Sequence, residues 1–233
     1  MRYLPPLAPA PKTNTARIGF LYWAFSFCLL GNLLSMAADR VGLSLTGAQL
    51  NFIYYSVNFG AGAYLFREFL WENWKTAADR IFPTVYYAIL AYLGSQVFLS
   101  LVTYVILTLR PDFSNVNDES IRTMLREAPG LMVLGAVVLA PVAEEIFYRG
   151  LFFRKLFDVK PWLGYVVSMV VFAAIHTVGY AGSEEPVILL LCFLQYLPAG
   201  YCLCWCYRQS GNILSPILMH ILFNASSILS LVR

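Results

Sequence analysis

Charged residues are scarce in this 233-residue sequence. Asp, Glu, Lys and Arg make up 12% of it, against about 25% in typical soluble domains. No run of basic residues of the kind that contacts nucleic-acid phosphates is present. The shortage excludes an ordinary soluble globular protein and predicts no nucleic-acid partner. What the sequence does have is 59% hydrophobic and 16% aromatic residues, a composition that suits a protein embedded in a lipid bilayer.

The few charges fall between long apolar stretches. A helix needs about 20 residues to cross the hydrocarbon core. Seven stretches are close to that length or longer: residues 18–38, 50–66, 84–109, 131–153, 162–179, 187–207 and 213–232. They predict an all-α polytopic membrane helix bundle with seven spanning helices, or eight if a further segment re-enters the membrane.

The segments between these stretches are too short to be soluble domains. Residues 1–17 are expected to form a cytoplasmic tail, whose proline-rich part, residues 4–11, is typical of disorder. Residues 18–110 carry the first three spans, with an amphipathic surface helix near residues 67–82. Residues 111–233 carry the last four spans and are predicted to be the catalytic core.

Lys and Arg are unevenly divided between the two sides of this topology. Eleven of the 16 fall on the side of the N-terminus and five on the other. The positive-inside rule therefore places the N-terminus in the cytoplasm. We expect a multi-pass integral membrane protein and favour a bacterial plasma membrane over the endoplasmic reticulum.

Three charges break the pattern because they lie within or at the end of the fourth span. An ionisable residue at membrane depth indicates function by default. Arg149 follows Glu145 by one helical turn, so the two can form an ion pair on one face. Glu144 points about 100° away around the helix and is the better candidate for a carboxylate kept free for proton chemistry.

Histidine is also scarce, and both copies lie inside apolar spans. Asn224 follows His220 by one turn, so their side chains share a helix face. Counted at 1.5 Å per residue from the expected cytoplasmic ends, Glu144, His176 and His220 reach similar depths near the middle of the bilayer. Residues from three separate spans can therefore meet there.

This set of groups suits amide hydrolysis. Glu144 and His176 can activate a water, while His220 and Asn224 can donate hydrogen bonds to the developing oxyanion. No Gly-x-Ser-x-Gly elbow is present. Zinc is a minority alternative, since two His and one Glu form a known ligand set, but the His-Glu-x-x-His pattern is missing. We therefore expect no cofactor.

Three motifs carry a family resemblance. The segment from Pro141 to Gly150 resembles the Glu-Glu-x-x-x-Arg motif of the CAAX-protease and bacteriocin-processing (CPBP, or Abi) membrane proteins, relatives of the Ras-converting endoprotease. Residues 172–176, beginning with Phe172, resemble its Phe-x-x-x-His motif, and residues 220–224 its His-x-x-x-Asn motif. The resemblance covers roughly residues 117–227, and the first three spans match only as generic membrane helices.

The resemblance implies a glutamate-type intramembrane endopeptidase in which Glu144, His176, His220 and Asn224 are catalytic, supported by Glu145, Arg149 and Phe172. Its partners would be the bilayer and a peptide or protein substrate, lipidated in CAAX-type relatives and a peptide or bacteriocin precursor in others. Two non-proteolytic functions stay open: a membrane scaffold or immunity protein of the same fold, and a proton-coupled carrier. The sequence does not define the oligomeric state.

Overall fold

The structure, a computed structural model, describes residues 4–232. The first three residues of the expected tail, and Arg233 at the end of the last span, lie outside the described residues. The described part contains nine helices and no β-strand. In chain order they are α1 Thr13–Arg40, α2 Gly47–Leu65, α3 Arg67–Ala78, α4 Ile81–Leu109, α5 Val116–Glu127, α6 Pro129–Val159, α7 Pro161–Ile175, α8 Pro186–Ser210 and α9 Leu214–Val232.

Local signals in the sequence account for many helix ends. Thr46 and Gln49 form a reciprocal capping box that starts α2, and the Asn115 side chain accepts from two backbone N–H groups at the start of α5. Three helices begin at a proline, which fits the first turn because its missing N–H would have no partner there: α6, α7 and α8. Gly211 ends α8 with φ +84°, a left-handed conformation that favours glycine.

Six of the nine helices are long and apolar enough to cross a membrane: α1, α4, α6, α8, α9, and α7 together with the one-turn 3₁₀ helix Val178–Tyr180. The predicted all-α membrane bundle is confirmed. The second expected span, residues 50–66, is also helical, as α2, but it is not among the six. Its polar side chains, Gln49, Asn51, Ser56 and Asn58, lower its hydropathy, and α2 packs against α6 inside the bundle.

The expected surface helix is α3. Phe69, Asn73 and Ala77 recur at four-residue intervals and are buried on one face, while Trp71 and Trp74 are exposed. This spacing places the apolar stripe of an amphipathic helix against the bundle. The Asn73 side-chain oxygen accepts from the backbone N–H of Ile213 at 2.8 Å, so α3 also fixes the turn that leads into α9.

The proline-rich start is docked, and the expectation of disorder is wrong for this segment. The carbonyl of Pro5 accepts from Arg208, and that of Ala8 accepts from Arg154 at 3.1 Å. The N–H of Ala8 donates to the carbonyl of Gly211 at 2.7 Å. Prolines already restrict the chain, so little conformational entropy is lost when these main-chain bonds form. The segment thereby ties the ends of α6 and α8 together.

Candidate active site

Glu145 lies at the centre of a buried, charged cluster. Its Oε1 accepts from Arg149 at 2.9 Å and lies 2.8 Å from His220 Nδ1. Glu145 and Arg149 are both 0% exposed. The ion pair predicted from the four-residue spacing is therefore present, and His220 joins it from α9. Glu145 Oε1 thus holds two side chains, while its Oε2 is buried without a hydrogen-bond partner among residues 4–232.

Arg149 is held from two further directions. Its Nη2 donates to the carbonyl of Gly200 in α8 at 3.2 Å, and its guanidinium lies 4.6 Å from the centre of the Phe172 ring. An arginine over an aromatic face gains a cation–π attraction that strengthens when the site is desolvated. The Phe172 ring also packs against the rings of His176 and His220. The supporting residues predicted from the sequence thus connect α6, α7, α8 and α9.

Glu144 has a different environment. Its Oε1 accepts from the hydroxyl of Tyr55 in α2 at 3.0 Å. Its Oε2 is buried, has no hydrogen-bond partner among residues 4–232, and lies 4.0 Å from His220 Nε2. A buried carboxylate oxygen without a partner is costly, and such an oxygen is available to a bound water or substrate.

The shape of α6 accounts for the placement of this pair. Residues Ala140–Glu145 are α-helical, whereas Val133–Leu139 before them and Ile146–Phe153 after them are π-helical. The wider π turns shift hydrogen bonds from i+4 to i+5 and are frequent at functional sites. The Tyr148 carbonyl in the second π segment accepts from Ser168 in α7 at 2.8 Å. The two glutamates therefore lie on a short α turn between two wide ones.

His176 lies at the end of α7. Its Nδ1 is 2.7 Å from the Phe172 carbonyl, and its ring stacks on Tyr196 with 4.4 Å between centroids. A carbonyl oxygen can only accept, so Nδ1 carries a proton, and in the neutral ring Nε2 has a free lone pair. The contacts on both sides fix the orientation of the ring, and a neutral ring held in this way suits a group that receives a proton.

Asn224 lies one turn after His220 on α9. Its amide nitrogen donates to the carbonyl of Ala136, in the first π segment of α6, at 2.8 Å. An amide nitrogen carries two hydrogens, so one remains to donate elsewhere. The bond fixes the side chain while leaving a donor in the site.

A cavity of about 200 Å³ brings most of these groups together; we call it the site cavity. Glu144, His176 and Asn224 line it, along with Tyr55, Tyr196 and Asp118. The fourth predicted catalytic residue, His220, is buried beside Glu144 and is not part of the cavity wall. Tyr55 and Glu144 also line a second cavity of about 290 Å³, formed by residues of α1, α2 and α6 and by Ile175 of α7.

Two site residues were missed from the sequence. Tyr55 is the side chain that hydrogen-bonds Glu144, and Tyr196 is the surface on which His176 stacks. The polar side chains within positions 50–66 indicated that this helix faces something other than lipid. Tyr196 had no comparable signal, because tyrosine is common in apolar helices.

Zinc is the alternative cofactor that the sequence left open. In the part of the chain that the structure describes, no group of three or more His, Cys, Asp or Glu side chains is placed to hold a metal ion. The Nδ1 atoms of both histidines are engaged, one by Glu145 and the other by a carbonyl, and metal-bound histidines commonly make the same kind of bond. That the protein needs no metal therefore stays a prediction.

Comparisons with known proteins agree with the motif assignment. Residues 126–226 match the family described as type II CAAX prenyl endopeptidase Rce1-like. The UPF0177 protein YbdI of Lactococcus lactis subsp. lactis (strain IL1403) is 30% identical over 84 residues, which are 36% of this chain and 40% of that relative. The match thus spans less than half of the relative's length. No solved structure matches the chain. The family resemblance is confirmed over residues 126–226, which contain all four predicted catalytic residues.

Proposed function

We propose that this chain, Rce1-like over residues 126–226, is a glutamate-type intramembrane endopeptidase. The observation that supports this most directly is the free Glu144 Oε2, buried next to a cavity that His176 and Asn224 also line. A carboxylate with one engaged and one free oxygen can orient a water and accept its proton. Glu145 also has one oxygen without a partner, but it does not line the site cavity, and its other oxygen is bonded by Arg149 and His220.

In the proposed reaction, a water held by Glu144 attacks the scissile carbonyl. Glu144 takes the proton from the water, with the free Nε2 of His176 as a second acceptor, and the proton then passes to the leaving amine. Asn224 donates its remaining N–H to the oxyanion. His220 can assist only as an imidazolium, because Nδ1–H is directed at Glu145 and a donor at Nε2 needs a second proton.

The proposed substrate is a peptide segment presented at the bilayer. A lipidated CAAX-type carboxyl terminus and a peptide or bacteriocin precursor both have this property, and the site lies in helices long enough to span the membrane. We further propose that the N-terminus faces the cytoplasm of a bacterial cell, following the distribution of Lys and Arg.

The proposed mechanism uses no metal, so a chelator should leave the rate of cleavage unchanged. Loss of activity with a chelator and its recovery with zinc would favour the zinc alternative.

The test of this function is a search for precursors that accumulate. Membrane proteomes and secreted peptides are compared between cells that carry the wild-type protein and cells that carry Glu144→Ala at equal abundance. We expect at least one membrane-associated peptide to be uncut in the variant and cut in the wild type. Identical peptide profiles, with a cellular phenotype that the variant still supports, would contradict proteolysis and favour a scaffold.

Tyr55→Phe is expected to lower kcat about tenfold, because it removes the hydrogen bond to a charged carboxylate, a contact that contributes about 1.5–3 kcal/mol. KM should change little, since the tyrosine acts through Glu144. The matched control is Tyr54→Phe, whose hydroxyl accepts from Ser26 and does not bond Glu144. Steady-state kinetics on a quenched peptide would check both variants, and equal rates for the two would remove Tyr55 from the mechanism.

A further inference from the structure

A second carboxylate faces the site cavity. Asp118, in the first turn of α5, lines this cavity together with Glu144 and also lines an adjoining cleft of about 320 Å³. We call the latter the polar cleft; Gln96, Thr103, Asn115, Gln195 and Ser226 are among the residues that form it. Asp118 is half-buried, and in the described residues its carboxylate makes neither a hydrogen bond nor an ion pair.

The side chains around this space provide free hydrogen-bond acceptors but little positive charge. Glu144 Oε2 is buried without a partner, and so is the side-chain oxygen of Asn51 on the same cavity wall. None of the residues that line the site cavity or the polar cleft is a Lys or Arg. The basic residue closest in sequence, Arg122, is half-buried one helical turn after Asp118, lies 3.8 Å from Glu119, and lines neither cavity. The space therefore has negative charge and free acceptors, and no Lys or Arg of the described chain lines it.

The rim around Asp118 is held in place by hydrogen bonds. Asn115 donates to Gln195 at 2.8 Å, and Gln195 donates to Thr103 at 2.9 Å. Asn117 donates to Tyr196 at 2.9 Å. These bonds connect α5 and its cap with α4 and α8. A cation entering the cleft would meet a rim that is already held in place, and such preorganisation lowers the cost of binding.

We infer that the polar cleft and Asp118 form a subsite for a Lys or Arg side chain of the peptide, next to the bond that Glu144 and His176 act on. The inference rests on the proposed function, because it concerns which peptides the endopeptidase accepts. A basic side chain supplies the N–H donors and the positive charge that the cavity lacks. It also offsets the cost of keeping the Asp118 carboxylate ionised away from bulk water.

The test uses the full chain in lipid nanodiscs and quenched peptides of one fixed apolar sequence. Each peptide carries a single Lys, Gln or Glu at one of three positions on either side of the scissile bond. At pH 8 we expect kcat/KM to favour Lys over Gln about tenfold at one position, the lower end of the coupling between close opposite charges. Asp118→Asn should make Lys and Gln equal there, and Asp118→Lys should make Glu the preferred residue.

Glu119→Gln is the matched control. Glu119 is the next residue in the same first turn, so it shares the favourable interaction with the helix dipole, but it is exposed and lines neither cavity. We expect this variant to keep the Lys preference. A preference that survives in Asp118→Asn, or is lost equally in Glu119→Gln, would overturn the subsite.

A binding measurement separates this inference from the proposed function. Fluorescence anisotropy records how the Lys and Gln peptides bind to Glu144→Ala, which cannot turn them over under the proposed mechanism. Preferential binding of the Lys peptide without any cleavage by the wild type would contradict the protease and retain the subsite. Cleavage by the wild type without a charge preference would contradict the subsite and retain the protease.

The preference should also depend on pH. Burial, followed by the charge of Glu119, raises the pKa of Asp118 to about 6, and Arg122 opposes the rise. Tyr180, Cys192 and Tyr196 also face it and are neutral in this range, and Glu144 and His176 line the same cavity. Protonation removes the charge, so the Lys preference should be full near pH 8 and fade as the pH falls through about 6. A ratio constant from pH 5 to 8 would contradict a role for the Asp118 charge.

Discussion

Glu144→Gln is expected to lower kcat by roughly a thousandfold or more while the protein stays folded, since a positioned general base contributes about 10²–10⁴ to a rate. The change keeps the size of the side chain and keeps an oxygen that can accept from Tyr55. It replaces the carboxylate, whose Oε2 has no partner among the described residues, with an amide that cannot accept a proton from water. The loss should therefore fall on turnover, and peptide binding should change little.

The measurement is single-turnover cleavage of a quenched peptide by purified protein in nanodiscs. Glu119→Gln makes the same chemical change at an exposed site outside the cavity and should keep wild-type rates. Thermal unfolding of both variants shows whether the fold is intact. Retention of more than a tenth of the wild-type rate by a folded Glu144→Gln protein would rule out Glu144 as the base.

Arg149→Met is expected to destabilise the protein by about 3–5 kcal/mol, the usual cost of leaving one partner of a buried ion pair without the other. Glu145 would keep only His220 as a partner at a site with 0% exposure. The carbonyl of Gly200 would lose a donor, and the Phe172 ring its cation. The double variant Glu145→Gln/Arg149→Met should recover part of the loss, because no unpaired charge stays buried.

Reversible unfolding in mixed detergent measures these free energies. Arg110→Met is the control, since Arg110 pairs with Asp112 at 3.5 Å in an exposed position, where such pairs contribute about 0–1 kcal/mol. Equal stability of Arg149→Met and Arg110→Met would contradict a structural role for the Glu145–Arg149 pair. Activity should fall in Arg149→Met as well, because Glu145, which also bonds His220, loses the partner that fixes its position.

Local spacing in the sequence was enough to predict some features of the site. The Glu145–Arg149 pair follows from a four-residue separation, and the three motifs predicted the family match. The different hydrogen-bond partners of the two glutamates also follow from their directions on one helix. What these features share is that each depends on residues close together in the chain or on a pattern of a few letters.

Other features depend on contacts between distant segments and could not be predicted in the same way. Tyr55 reaches Glu144 across 89 positions. The π-helical turns that flank Glu144 have no signature in a single sequence, and the docked proline-rich segment depends on partners near the other end of the chain. The sequence did partly indicate that α2 packs inside the bundle, because Asn51 and Asn58 are unusual in a lipid-facing helix.

The docked segment also has a consequence for the order in which the protein is made. Pro5 is synthesised 203 positions before Arg208 and Ala8 146 positions before Arg154, so most of the chain leaves the ribosome before these partners exist. Gly211, which accepts from Ala8, comes later still and precedes only α9. The segment therefore waits, unpaired, during insertion of the earlier helices, and its docking is among the last steps of biogenesis.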